Sequence, residues 1–152
     1  MTQSFLDRAI EYACGLLPAA NEDARNLPEP MRTVALVQAA QGIIDNGGLE
    51  YFFEMDFPLN PPYSTFVDAF REIGADAVAK CIEAASSMFP FPHPHLFEAQ
   101  RQAWLVSIQD NEKHDFARLS YRACGDKEVW EKLAQYVDRN RDAFGTAVAA
   151  ED

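Results

Sequence analysis

Apolar positions recur at intervals of three and four residues almost from the start of the chain, and nowhere do they alternate with polar ones over a convincing strand length. From about Ser4 to Leu17 the repeat Phe5, Ala9, Tyr12 and Leu16 predicts an amphipathic helix that stops at Pro18. After the polar link NEDARNLPEP, residues 31–44 (MRTVALVQAAQGII) are apolar on nearly every side, as expected of a central helix enclosed by others. Asn46, Gly47 and Gly48 tolerate positive φ and close backbone approach, so a sharp corner is expected there. Beyond it, GLEYFFEMDF predicts a short helix whose aromatic side docks into the core, and PLNPPY ends it because two prolines remove donors and restrict their predecessors.

The second half continues in the same way. Ser64 or Thr65 is expected to cap a helix carrying Phe66, Ala69, Phe70 and Ile73 on one side and ending at Gly74. The stretch ADAVAKCIEAASSMF puts Val78, Cys81, Ile82, Ala85, Met88 and Phe89 on one stripe, with Asp76, Lys80, Glu83 and Ser87 opposite. PFPHPHL, with alternating prolines, favours an extended link. Helices are then expected over Leu96 to Gln109, over His114 to Cys124 with Gly125 closing it, and over Glu128 to about Ala143. The expectation is all-α: one compact domain over residues 1–152, a bundle of about seven or eight helices with no internal repeat.

Composition bears this out in kind. A chain of 152 residues that is 48% hydrophobic and carries 18 aromatics can bury a sizeable core and is not a disordered one. Asp7, Arg8 and Glu11 interrupt the apolar residues of the N-terminus, unlike a secretory signal, and no stretch approaches the roughly 18 uncharged apolar residues of a membrane span. Cys14, Cys81 and Cys124 are odd in number and far apart, which suits buried thiols in a reducing cytoplasm better than a disulfide framework.

Charge changes the picture more. The net charge of -11 disfavours phosphate backbones and anionic membranes and favours basic partners. Residues 1–76 hold 12 acids and 4 bases, and between Arg32 and Arg71 no base occurs while Asp45, Glu50, Glu54, Asp56 and Asp68 do. An acidic surface kept for solubility accounts for such an excess as well.

Motifs for catalysis are missing. His93 and His95 flank a proline with no further His or Cys nearby to complete a zinc site, so no metal and no cofactor are expected. His114, next to Asp115, is expected to open a helix, and no Ser or Cys nucleophile stands with it in a known pattern. Gly47 and Gly48 are followed by Leu49 and Glu50, not the Lys and Ser or Thr of a phosphate loop. Glu50 and Glu54 share a helix face at i and i+4, which alone gives neither an altered pKa. The chain is expected not to be an enzyme; a catalytic reading would need a pocket.

The stretch IIDNGGLEYFFEMD, preceded by PMRTVALVQAAQG and followed by FREIGADAVAKCIEAASSMF, resembles the bacterial DNA-mimic protein family of small acidic helical proteins. The matching residues are Asn46, Gly47, Gly48, Phe52, Phe53, Ile73, Gly74 and Ala75, and FARLSYRACGDKEVWEKLAQYVDRN resembles that family's closing pair of helices. The resemblance covers about residues 30 to 142, with Leu49 where an aromatic is usual and Glu50 where Gln is usual.

Two expectations follow. The motif is architectural: Asn46, Gly47, Gly48 and Gly74 shape corners, so that Tyr51, Phe52 and Phe53 fold back over the central helix. The partner-binding candidates are Asp45, Glu50, Glu54, Asp56, Asp68, Glu72 and Asp76, displaying carboxylates as a duplex displays phosphates. Their expected partner is a basic DNA-binding protein or another basic protein, with no direct nucleic acid and no membrane; a homodimer stays open. The alternatives are an acidic inhibitor or immunity-type protein that uses exposed aromatics of FPFPHPHLF as an apolar hot spot, or a helical protein without mimicry.

Overall fold

The computed structural model describes residues 3–145. Among them lie seven α-helices and four short 3₁₀ turns, and no strand. The helices are α1 (Phe5–Gly15), α2 (Met31–Glu54), α3 (Tyr63–Glu72), α4 (Asp76–Ser86), α5 (Glu98–Ile108), α6 (Asp115–Ala123) and α7 (Lys127–Arg139). No helix among the described residues is long and apolar enough to cross a membrane.

Helix α2 is the axis, with α1, α3, α5, α6 and α7 packed on it. Val34, Val37, Ala40 and Ile44 are fully buried, as expected for a helix without a polar face. Its path is broken where the glycines stand. Gly48 has φ +73°, and the chain on either side of Gly47–Gly48 forms two helical limbs that do not share an axis. Such a break orphans amide donors at the start of the second limb. The hydroxyl of Ser120, on α6, accepts from Leu49 N at 2.9 Å and donates to the Glu50 carboxylate at 2.6 Å. A methyl group on Gly48 would overlap Ser120 Oγ, and one on Gly47 would overlap the Tyr51 ring.

Beyond the break, Phe52 and Phe53 are fully buried and seed an aromatic core. Phe52 lies 5.2 Å from Phe66, and Phe53 lies 4.8 Å from Tyr63 and 5.3 Å from Phe89, in edge-to-face geometry. Tyr51 differs from expectation: it is 53% exposed and covers Gly47 from outside rather than joining the core. Successive residues of a helix point about 100° apart, so three consecutive aromatics cannot all face inward.

Other boundaries shift for local reasons. Pro62, not Ser64 or Thr65, is the residue before α3, because its extended ψ of 150° turns the chain into the helix without a side-chain cap. Gly74 (φ +86°) and Gly125 (φ +73°) end α3 and α6 in the left-handed region, as expected. The proline link is not extended throughout: His93 takes φ 52° and Pro94–Leu96 forms a 3₁₀ turn. The last helix stops at Arg139, and Arg141–Phe144 follows as a 3₁₀ turn that brings Phe144 edge-on to Phe5 and Tyr12 of α1. Cys81 is buried, whereas Cys124 at the end of α6 is exposed, contrary to the expectation of three buried thiols.

Replacing Gly48 by Ala meets both a left-handed backbone and the Ser120 hydroxyl, so a loss of about 2–4 kcal/mol is expected in urea unfolding. Gly125→Ala, with a similar φ and open space at its Cβ, should lose about 1 kcal/mol. Gly47→Val should fall between, because the displaced Tyr51 ring is exposed.

Candidate functional site: the carboxylates and where the fold puts them

The seven candidate acids divide into two groups. Asp45 lies one turn before the break, half-buried, and its carboxylate accepts from Gln41 Nε2 (2.7 Å), Gly125 N (2.8 Å) and Trp130 Nε1 (2.9 Å). It fastens α2 to the α6–α7 corner and to the first turn of α7. Glu50 is half-buried on the second limb, held by Ser120 near the limb's amide end, where a negative charge is favoured. Asp56 pairs with the guanidinium of Arg101 at 3.2 Å, and the amide of Asn60, placed with its nitrogen toward Asp56, donates to the same carboxylate. Asp45 and Glu50 are half-buried and Asp56 stands 43% exposed, yet all three are engaged by groups of the protein itself, a role that counting charges along the chain does not reveal.

Arg101 is the largest of the fully buried side chains. Besides Asp56, it donates to Phe53 O (2.8 Å), Met55 O (3.0 Å) and Pro94 O (2.8 Å), which caps the carbonyl end of α2 and ties it to the proline link. A planar fork with five donors suits this arrangement; an ammonium does not. Burial next to these groups pushes the Tyr63 phenol up to about 12.

The other four acids, Glu54, Asp68, Glu72 and Asp76, are exposed. Asp68 and Glu72, one turn apart on α3, line a groove whose opposite wall carries Glu29 and Arg32. Glu29 caps the first turn of α2 with both oxygens, accepting from Thr33 N (2.8 Å) and Thr33 Oγ1 (2.6 Å). Beneath this groove the Tyr136 phenol is held above its ordinary value, by burial first and then by the nearby Glu29 and Glu72 carboxylates. Around the α3–α4 corner, Asp76 shares a second groove with Asp126 of the α6–α7 link and Glu128 in the first turn of α7. Arg71, paired with Glu83 at 3.1 Å, also lies within electrostatic reach of Asp68 and Asp76.

The structure thus brings Glu29, Asp126 and Glu128 to acids from which they are distant in sequence. No periodicity could have found them, since their meeting depends on how α2 packs on α3 and α6 on α4. Near the N-terminus of α2, Asp23 clasps Arg25 through two parallel bonds of 3.0 and 2.9 Å, and this clasp holds the Asp23 carboxyl below its ordinary value.

The remaining chemistry is sparse. His114 opens α6, its Nδ1 accepting from Phe116 N at 3.0 Å, as expected from its place before Asp115. The rings of His93 and His95 stand edge to face 6.2 Å apart, and burial lowers the pKa of His95, with His93 and Arg101 adding to it. Among the described residues, no three His, Cys, Asp or Glu side chains gather closely enough to hold a metal ion.

The model of the DMP19-like protein family matches residues 25–140 of the chain. Comparison with curated proteins and with solved structures returns no match.

Removing the Asp45 carboxylate orphans three donors, so Asp45→Ala is expected to lose about 2–3 kcal/mol in chemical denaturation. Trp130→Phe should cost less, and the double variant less than the sum, because both break one contact. Arg101→Met, which orphans three carbonyls, should lose about 3 kcal/mol or more. Asp56→Asn, at a site 43% exposed, should lose under about 1 kcal/mol.

Proposed function

The chain belongs to the DMP19-like protein family, and we propose that it is a non-enzymatic protein-binding module that occupies the nucleic-acid site of a basic DNA-binding protein. The observation that carries this reading is the gathering of carboxylates on α3, α4 and their neighbours: Asp68 and Glu72 with Glu29 in one groove, Asp76 with the half-buried Asp126 and with Glu128 in the next. On a helix, acids at i and i+4 have Cβ atoms about 5–6 Å apart, several ångströms like the spacing of charges along a duplex. A basic groove shaped to a phosphate array therefore meets charge of the right sign at a comparable spacing. The net charge of -11 adds a long-range field that speeds encounter and weakens as salt screens it.

On this reading Glu54, Asp68, Glu72 and Asp76 are the carboxylates presented to the partner, while Asp45, Glu50 and Asp56 hold the scaffold that presents them. A second reading has its own observation: Leu96 and Phe97, within the aromatic link, stand 53% and 42% exposed and offer an apolar hot spot to one enzyme. Salt separates the two. A complex built on charge weakens steeply between low and high salt, whereas one built on buried aromatics persists.

The test is capture from the source cell's lysate on the immobilised chain at low salt, elution by a salt gradient, and identification by mass. A captured basic DNA-binding protein should then lose its duplex in a gel-shift assay as the chain is added, with no retardation of DNA by the chain alone. The triple variant Asp68→Asn, Glu72→Gln, Asp76→Asn should weaken the competition about tenfold or more and flatten its salt dependence. Retardation of DNA by the chain itself, or competition unchanged in the triple variant, would overturn the reading.

A further inference from the structure

Next to the groove formed by Glu29, Asp68 and Glu72 lies a half-open pocket of about 180 Å³. Its walls are almost wholly apolar: Leu17, Leu36 and Ala39 on one side, Phe57, Pro61 and Phe66 on the other. Arg25 and Leu36 line both the pocket and the groove, so the two adjoin. A cavity of about 150 Å³ is enough for a benzene-sized apolar group.

The charge around this composite site is predominantly negative. Glu22, Asp23, Glu29, Asp68 and Glu72 stand there against Arg25 and Arg32. Arg25 is clasped by Asp23, and Arg32 donates through Nε to Leu27 O at 3.1 Å. Asp23 thus neutralises Arg25, and Arg32 offsets one of the four remaining carboxylates, which leaves the site a net negative charge. The loops that shape the mouth also hold backbone that side chains rarely adopt: φ is +59° at Asn21, +61° at Glu22, +61° at Leu59 and +47° at Asn60. Strain of this kind persists only where the surroundings enforce it and is frequent at binding sites.

We infer that the pocket receives an apolar side chain of a basic protein segment, with a neighbouring Lys or Arg of that segment reaching the carboxylates of the adjoining groove. This deepens the reading of the chain as a binder of basic proteins, on which it rests, by naming what the partner must carry: an apolar anchor beside a cation. An anionic ligand is repelled by the rim, and a neutral one gains nothing from it. Anchor and charge divide the work, the first holding the complex and the second selecting and orienting it.

Three isosteric probes test this on the full chain: phenethylammonium, phenethyl alcohol and phenylacetate, each titrated by NMR at low salt. Saturable shifts are expected at Leu17, Leu36 and Ala39, with the ammonium binding about two- to fivefold more tightly than the alcohol and the acetate weakest. The ammonium's advantage should disappear at high salt and in the double variant Asp68→Asn, Glu72→Gln, leaving the alcohol unchanged. Ala39→Phe, which fills the pocket, should abolish all three; the surface double variant keeps the test decisive if that protein fails to fold. The inference is overturned if no saturable shift occurs at these residues, if the acetate binds as tightly as the ammonium, or if the same signals shift with protein concentration alone, which would make a second copy the occupant. Any of these results leaves the competition for DNA by the chain standing or falling on its own gel-shift measurement.

Discussion

Everything in this fold turns on the backbone break at Gly47–Gly48. A continuous α2 would carry Phe52 and Phe53 out along its axis, away from α3. Broken, it returns them into the middle of the domain, where they touch Tyr63, Phe66, Phe89 and Phe116. The break is held from three sides: Ser120 supplies the missing acceptor for Leu49 N, Glu50 closes on that hydroxyl, and Asp45 fastens α2 to Gly125 and Trp130. Arg101 does the corresponding work at the far end of the second limb. Polar side chains thus set the geometry that the aromatic core fills.

The same economy explains why negative charge cannot be counted along the chain to give a binding surface. Around the break carboxylates are drawn into hydrogen bonds: Glu50 accepts from the Ser120 hydroxyl that serves Leu49 N, and Asp45 accepts from Gln41, Gly125 and Trp130. Where a helix end orphans carbonyls, a cation is drawn in, and it takes Asp56 as counter-ion. Of the acids that stay outside, Asp68 and Glu72 sit on the turns of α3, while Glu54 closes α2 and Asp76 opens α4.

This sets how much was legible in the sequence. Helical periodicity and the glycine and proline punctuation gave the order of the helices, the corner at residues 46–48 and the ends at Gly74 and Gly125, because these depend on neighbours within a few positions. It missed what depends on distant partners: that Arg101 is buried among carbonyls, and that Glu29 meets Asp68 and Glu72. Arg101 stands between Gln100 and Gln102 on α5, and nothing in its neighbours marks its burial. For the pocket beside Phe57 and Phe66 there was no sign either, since its walls come from four separate stretches of chain.

Ser120 and Gly48 also bear on how such a chain can change over generations. The two are 72 positions apart, yet neither has an isolated path to another identity: a side chain at Gly48 runs into the Ser120 hydroxyl, and loss of that hydroxyl strands Leu49 N and Glu50. Lineages that drift at one of these sites are constrained to drift at the others together. Covariation among Gly48, Glu50 and Ser120, more than conservation of any one of them, is therefore the historical trace this corner leaves.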